Sequence, residues 1–127
     1  MERHAYAAGK WTVRELVGHV IDCERVFGFR AFCFSRLESE SLPGFDQNEY
    51  VARSPYNDIP IADLVDEFVA VRLSNLIVLR RLGEREWGQS GIANRASASI
   101  RAMAYIMAGH VQHHLDVLHE HYGIEVG

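Results

Sequence analysis

Histidine is abundant in this sequence and is concentrated near its C-terminal end. The chain has seven histidines in 127 residues, and five of them fall between positions 110 and 121. His110 and His114 are four residues apart, so on a helix their side chains project from one face about one turn apart. Two imidazoles at this spacing can bind one metal ion. His19, in a separate apolar pattern, is the candidate third ligand. Three nitrogen ligands would leave an open coordination position, which is typical of catalytic zinc.

Other interpretations of the same residues stay open at this point. A histidine on an apolar stripe is more often a hydrogen-bonded core residue than a ligand, and all three could be of that kind. Cys23 follows His19 by four residues and could be a soft fourth ligand, although a lone cysteine there is more often a small core residue. The sequence has no nucleophile elbow, phosphate-binding glycine loop or H-E-x-x-H motif. Val111, Gln112 and His113 stand between the histidine pair, so peptide hydrolysis with a glutamate base is disfavoured.

The elements that must position these histidines are predicted to be helices. Apolar residues recur at three and four throughout, and strand signals are almost absent. Thr12 and Glu15 have the spacing of a capping box, which predicts a helix from Thr12 to about Leu37. A second helix is predicted from about Ile61 to Leu82 and a third from Ser99 to Tyr122, ended by Gly83 and Gly123 respectively. Residues 38–60 and 83–98 are then long connections.

Composition limits the class of protein. The chain is 48% hydrophobic and 24% charged with a formal net charge of -4, which predicts one globular domain over residues 1–127. Nucleic acid is an unexpected partner without clustered basic residues. No apolar run is long enough for a membrane span or a signal peptide. Cys23 and Cys33 are too far apart on one helix for a disulfide, so the cytoplasm is the expected location.

Three stretches of the chain resemble the DinB-like superfamily of small helical metalloproteins. They are KWTVRE with GHVIDCER at 10–15 and 18–25, LPGFDQ at 42–47, and AGHVQHHL at 108–115. The resemblance implies an all-α four-helix bundle with a long crossover loop, of which this chain supplies three long helices. It also implies a metal site at His19, His110 and His114, with His113 a neighbour that is not a ligand.

The resemblance implies a metal-dependent protein acting on a small molecule. Relatives include thiol-dependent S-transferases and hydrolases, so one divalent ion is expected, zinc or nickel first, with iron or manganese compatible. A low-molecular-weight thiol is a candidate co-substrate. A non-enzymatic metal-binding protein associated with stress is the alternative.

The front of the chain differs from the family pattern. Only ten residues precede Trp11, where family members carry a further helix and a loop. The resemblance therefore implies that the given sequence lacks the bundle's first helix, either because the true start lies upstream or because a partner chain covers the gap. The first predicted helix is apolar on more than one side, so we expect a partner surface and a homodimer.

Several polar residues are candidates for supporting roles. Asp22 could hold the free ring nitrogen of His19. It could instead be a solvated acid, or pair with Arg25 or with a basic side chain on a neighbouring helix. Arg30 shares the inner face with His19 and should find a carboxylate, such as Asp46 or Asp63, or an anionic substrate.

The two long connections supply the remaining candidates. We expect the connections to lie near the open end of the bundle, so their polar residues are candidate substrate contacts. These residues are Asp46, Asn48 and Asn94.

Overall fold

The computed structural model describes residues 11–123, except for the side chain of His121. The first ten residues and the last four lie outside this range. The prediction that the N-terminus has no signal peptide falls mainly on residues outside the described range. The helices are α1 (Val13–Ser35), α2 (Gln47–Ala52), α3 (Ile61–Arg80), α4 (Glu84–Trp87) and α5 (Ile100–Tyr122), and the strands are β1 (Ser90–Ala93) and β2 (Ala96–Ser99). The predicted predominance of helix and the three long helices are confirmed.

The ends of the long helices follow local signals. The Thr12 Oγ1 atom accepts from the Glu15 amide at 3.2 Å, and the Glu15 carboxylate accepts from the Thr12 amide at 3.0 Å, so the predicted capping box is present. Ser99 caps α5, and Gly123 ends that helix with a φ of 68°, a value that glycine adopts without strain. The first helix ends two residues before the predicted Leu37, whose φ of 59° is not helical.

The first connection has more structure than the sequence pattern predicted. It contains α2 and a short 3-10 turn at Tyr56–Asp58. Asp46 caps α2 by accepting from the amides of Asn48 and Glu49. Tyr56 is buried against α1, where a Cβ added to Gly18 would lie 2.0 Å from its ring. The connection is therefore fixed to the side of α1.

The second connection also corrects the prediction. The helix α3 ends at Arg80, and Gly83 begins α4 instead of ending α3. Residues 90–99 form an antiparallel hairpin, although strand signals are almost absent. Its strands are mainly small residues, and its turn places Asn94 and Arg95 at positive φ. Hairpin turns of this kind usually contain glycine. Because this turn has none, the sequence pattern did not indicate a hairpin. A bridge between Leu42 and Ala93 joins the two connections.

Helix α1 is the central element, since both α3 and α5 pack against it. Its α3 side carries a buried polar network, in which Arg72 donates two hydrogen bonds to the Glu24 carboxylate, each 2.9 Å long. Asn75 also donates to that carboxylate at 2.9 Å and packs against Gly28. Glu24 is only 2% exposed, so these donors replace the water that the carboxylate loses on folding.

An apolar groove lies between α3 and α5, on the side of α1 opposite to Asp22. It includes a cavity of about 240 Å³ lined by Val17, Val65, Phe68, Val111 and other residues of the three long helices. The outer side of α3 adds a row of half-exposed residues at a spacing of four: Val65, Val69, Leu73 and Ile77. None of the helices in residues 11–123 has the length and apolar character needed to cross a membrane.

Candidate metal centre

The structure brings together the three histidines that the sequence singled out. The Nε2 atom of His110 lies 3.2 Å from the Nε2 atom of His19 and 3.1 Å from that of His114. The centroids of the His19 and His114 rings are 4.9 Å apart. His19 comes from the N-terminal third of α1, and the pair comes from successive turns of α5. The packing of α5 on α1 therefore makes one cluster of ring nitrogens from residues 91 positions apart in the chain.

Hydrogen bonding among the rings cannot satisfy this arrangement. An imidazole nitrogen has either one hydrogen or one lone pair. The Nε2 atom of His110 can therefore make a proper hydrogen bond to only one of its two neighbours. The Nδ1 atom of His114 is also buried and has no hydrogen-bond partner. A buried polar group without a partner costs about 1–3 kcal/mol, so the cluster as it stands is unfavourable.

The spacing of the nitrogens suits a common metal ion. Ligand nitrogens about 2.1 Å from one ion are about 3.0 Å apart at a right angle and about 3.4 Å apart at the tetrahedral angle. The two observed separations of 3.2 and 3.1 Å fall between these values. His19 with His110, and His110 with His114, therefore each have the separation of two nitrogens bound to one divalent ion.

Burial keeps the three imidazoles in the form that metal binding needs. The pKa of His19 is lowered to about 4, first by burial and then by the charge of His110. The pKa of His114 is lowered to about 3, by burial first and then by the neighbouring histidines, starting with His110. Burial also lowers the pKa of His110, with a further contribution from His113. A neutral imidazole is the form that coordinates a metal ion.

Cys23 lies in the same cluster. Its Sγ atom is 3.7 Å from both ring nitrogens of His19. Among the described residues, His19, Cys23 and His110 form a group whose ligand atoms all lie within 4.8 Å of one another. Two observations describe this thiol in the metal-free protein, and a bound ion would deprotonate it. A sulfur equidistant from both ring nitrogens lies on the lone-pair axis of neither. Burial, and next the charge of Asp22, raises the pKa of Cys23 to about 12, so it is a neutral thiol.

Aromatic rings surround the cluster. The ring of Trp11 lies 4.5 Å from that of His19, and the ring of Phe27 lies 5.6 Å from that of His110. The sequence pattern did not single out either residue for the site. Phe27 lies eight residues after His19 on the same helix. This helical spacing could have indicated from the sequence that Phe27 lies near the site. Both rings exclude water from one side of the imidazoles.

Asp22 does not hold the His19 ring. Its Oδ1 atom accepts a hydrogen bond from the Tyr56 hydroxyl at 2.5 Å, which fixes the first connection to α1. Burial raises the pKa of Asp22, and the Tyr56 hydrogen bond opposes this effect. Asp22 could not be assigned from sequence because its partner lies 34 residues away.

Arg30 does not form the predicted ion pair with a carboxylate. Among residues 11–123, no carboxylate oxygen lies within 4 Å of its guanidinium, and its hydrogen bond goes to the Pro43 carbonyl at 3.1 Å. Asp46 is engaged as the cap of α2, and Asp63 is exposed in the first turn of α3.

The candidate contacts in the two connections are not at the histidine cluster. Asp46, Asn48 and Asn94 are exposed, and the described part of the structure shows no contact between these side chains and the three imidazoles. Asn94 instead approaches Gly44, where its side-chain oxygen would lie 2.3 Å from an added Cβ. This contact holds the hairpin turn against residues 42–44.

Two comparisons with known proteins describe the relatives of this chain. A protein from Oceanobacillus iheyensis named "Putative metal-dependent hydrolase OB0413" is 26% identical over 111 residues, which are 87% of this chain and 64% of that protein. The chain thus spans just under two thirds of that relative's length. YfiT from Bacillus subtilis, described as "a probable metal-dependent hydrolase with an unusual four-helix bundle topology", matches with a TM-score of 0.73 and 15% identity. The match covers 98% of this chain and 74% of YfiT, and it shows a common fold.

The family assignment rests on a match along most of the sequence. Residues 3–118 match the sequence model of the DinB superfamily. This range contains α1, α3 and all three histidines of the cluster. The chain therefore belongs to the DinB superfamily.

Proposed function

We propose that this protein is a metal-dependent enzyme that acts on a small molecule at an ion held by His19, His110 and His114. The observation that carries the proposal is the position of the His110 Nε2 atom, which lies 3.2 Å from the Nε2 atom of His19 and 3.1 Å from that of His114. The three residues come from two helices. The printed names of the two relatives, "Putative metal-dependent hydrolase OB0413" and "a probable metal-dependent hydrolase", favour a hydrolytic reaction. Zinc or nickel suits three imidazoles best, and iron or manganese is compatible.

A divalent ion at this position would supply Lewis-acid chemistry and lower the pKa of a bound water or thiol. Three protein ligands leave room for such a molecule. Hydrolysis would use water there, and an S-transferase would use a low-molecular-weight thiol.

The remaining tasks fall to the chain's own residues. Burial keeps His19 and His114 neutral at pH 7, so their lone pairs are available without the loss of a proton. Trp11 and Phe27 shield the rings from water on one side. This shielding strengthens the electrostatic interactions of a bound substrate.

Metal analysis tests the site itself. Full-length protein purified without a nickel column, then loaded with zinc and desalted, should retain close to one ion per chain. His114→Ala should bind zinc at least tenfold more weakly, because two ligands remain. His113→Ala is a matched control, since His113 is exposed on the same helix with its ring 5.0 Å from that of His114. Equal zinc affinity in wild type and His114→Ala would overturn the proposed ligand set.

Turnover assays separate the possible reactions. Zinc- and nickel-loaded protein would be incubated with a panel of small esters and amides, and separately with thiols and a chloro-dinitro aromatic electrophile. Metal-dependent release of acid supports the hydrolase, and metal-dependent consumption of thiol supports the S-transferase. Stoichiometric metal without turnover in either panel favours the non-enzymatic alternative and contradicts the enzymatic proposal.

A further inference from the structure

The Arg30 side chain is a buried cation on the same face of α1 as His19. Only 8% of its surface is exposed. No carboxylate among residues 11–123 pairs with it, and one of its five donors is used on the Pro43 carbonyl. Burial lowers the pKa of Arg30. Its unpaired N–H groups are not enclosed in the core, so they are available to a partner that enters from solvent.

The contacts around Arg30 compensate this charge only in part. Its guanidinium carbon lies 5.9 Å from the centroid of the Phe27 ring and 6.0 Å from that of Phe45. Both distances are at the outer limit of a cation–π contact. Neither ring supplies a hydrogen-bond acceptor, so several N–H groups remain for another partner.

Arg30 lines a cavity of about 260 Å³. The segment 42–45 and Tyr50 form one wall, and Val26, Phe29 and Arg25 of α1 form the other. The second arginine is already paired, since Arg25 donates to the Glu67 carboxylate at 2.6 Å. The cavity therefore presents one arginine without a carboxylate partner among aromatic and aliphatic walls.

One aromatic side chain connects Arg30 with the candidate metal centre. Phe27 contacts the Arg30 guanidinium on one side and the His110 ring, at 5.6 Å between centroids, on the other. His19 and Arg30 are eleven residues apart and so lie on the same face of α1. An arginine side chain on a helix leans toward the helix N-terminus, which here is the direction of His19.

We propose that the Arg30 guanidinium binds a carboxylate or phosphate group of the substrate, so that the substrate of the His19 centre is a small anion. A planar guanidinium binds either oxyanion through two parallel hydrogen bonds. The aromatic walls favour a ligand with an apolar body next to the anionic group. That this anion is a substrate rests on the proposed function, but anion binding at Arg30 does not depend on it.

Binding of two aromatic probes to the full-length protein tests this site. Benzoate and phenyl phosphate would be titrated by NMR, with the neutral benzamide as the matched ligand. Wild type should bind at least one of the two anions in the millimolar range and benzamide at least tenfold more weakly. Whichever anion binds identifies the preferred group. Failure of both anions to bind, or equal binding of benzamide, would overturn the proposal.

Three arginine variants locate the binding. Arg30→Gln should weaken anion binding at least tenfold. Arg30→Lys keeps the charge but lacks the planar guanidinium that donates two parallel hydrogen bonds, so it should give an intermediate affinity. Arg36→Gln is the control, since Arg36 is exposed and contacts the Phe32 ring at 4.8 Å, and its affinity should equal that of wild type. Unchanged binding in both Arg30 variants would contradict the assignment. If Arg30→Gln does not fold, Arg30→Lys and the benzamide comparison decide the question.

Zinc titrations distinguish this proposal from the metal site. We expect Arg30→Gln to bind zinc as wild type does. We expect His114→Ala to bind the anion as wild type does, because the cavity at Arg30 is unchanged. If His114→Ala loses zinc binding but wild type binds no anion, the proposed metal centre stands and the proposed anion site is wrong. Anion binding without any zinc binding would give the reverse result.

Discussion

The neutral imidazoles of the site link stability of the metal-free protein to pH. In the folded chain the pKa of His19 is lowered to about 4 and that of His114 to about 3, both mainly by burial. In the unfolded chain both titrate near 6.5, so between pH 6.5 and 4 the unfolded state binds more protons. The free energy of unfolding should therefore fall as the pH is lowered through this window, by at most about 6 kcal/mol for the two groups together and by less to the extent that solvent screens the rings.

Urea unfolding of EDTA-treated protein at pH 7, 6 and 5 measures this dependence. His114→Gln, which removes one of the two titrating groups, should show a shallower decrease. A free energy of unfolding that does not change between pH 7 and 5 would contradict the prediction.

The contact between Gly18 and Tyr56 gives a second prediction for a single residue. A Cβ at position 18 would lie 2.0 Å from the Tyr56 ring, which is buried and bonded to Asp22. Gly18→Ala should therefore lower the free energy of unfolding by about 1–3 kcal/mol through overpacking.

Gly109→Ala is the matched control. A Cβ at position 109 has no atom within 4 Å, and the residue lies inside α5. This substitution should raise stability by up to about 1 kcal/mol, because alanine favours helix over glycine. Chemical denaturation of both variants provides the comparison, and a Gly18→Ala variant as stable as wild type would show that the first connection is not fixed to α1.

At the scale of elements, the Glu24 network joins α1 to α3. We expect it to be the strongest electrostatic interaction between these two helices. Glu24 is 2% exposed and accepts from Arg72 and Asn75. Glu24→Ala leaves the guanidinium and the amide without their acceptor, so we expect a loss of about 3–5 kcal/mol in unfolding free energy.

Glu67→Ala breaks a pair between the same two helices at a more exposed position, where Arg25 is half exposed. This change should cost at most about 1 kcal/mol. Thermal or urea unfolding of the two variants makes the comparison, and similar losses would mean that burial does not set the strength of these pairs.

The sequence predicted those elements whose signals are local. The caps at Thr12 and Ser99 and the glycine at position 123 each depend on a few neighbouring residues, and they set the ends of α1 and α5. The pairing of His110 with His114 followed from helical spacing. The position of His19 next to them required the family resemblance, because spacing within one helix gives no distance to another.

The features that the sequence did not predict depend on contacts between distant segments. The hairpin at residues 90–99 has small residues and a turn with Arg95 at positive φ, so neither β propensity nor turn chemistry indicated it. The partner of Asp22 is Tyr56, in a connection that showed no helical period. The setting of Arg30 is formed by residues 42–50, whose path over α1 no local pattern fixes.

At the scale of the whole molecule, the outer side of α3 gives a prediction about assembly. Val65, Val69, Leu73 and Ile77 are each about half exposed and form one row. Such a row is complementary to itself about a two-fold axis, so we expect two copies to pair through α3, beside the apolar groove.

Size-exclusion chromatography with light scattering measures this association. Leu73→Lys should shift the protein toward monomer, and Ile92→Lys, at an exposed apolar residue of the hairpin, should leave the assembly unchanged. A stable monomer of wild type at micromolar concentration would contradict the pairing.

The ring of Trp11 lies 4.5 Å from that of His19, and this gives the protein a built-in optical reporter. An indole this close to a ligand should lose fluorescence when nickel or copper occupies the histidine cluster. The other tryptophan, Trp87, lies in α4, so a Trp87→Phe variant would isolate the signal of Trp11. Occupancy could then be followed in real time from the emission of the unlabelled chain.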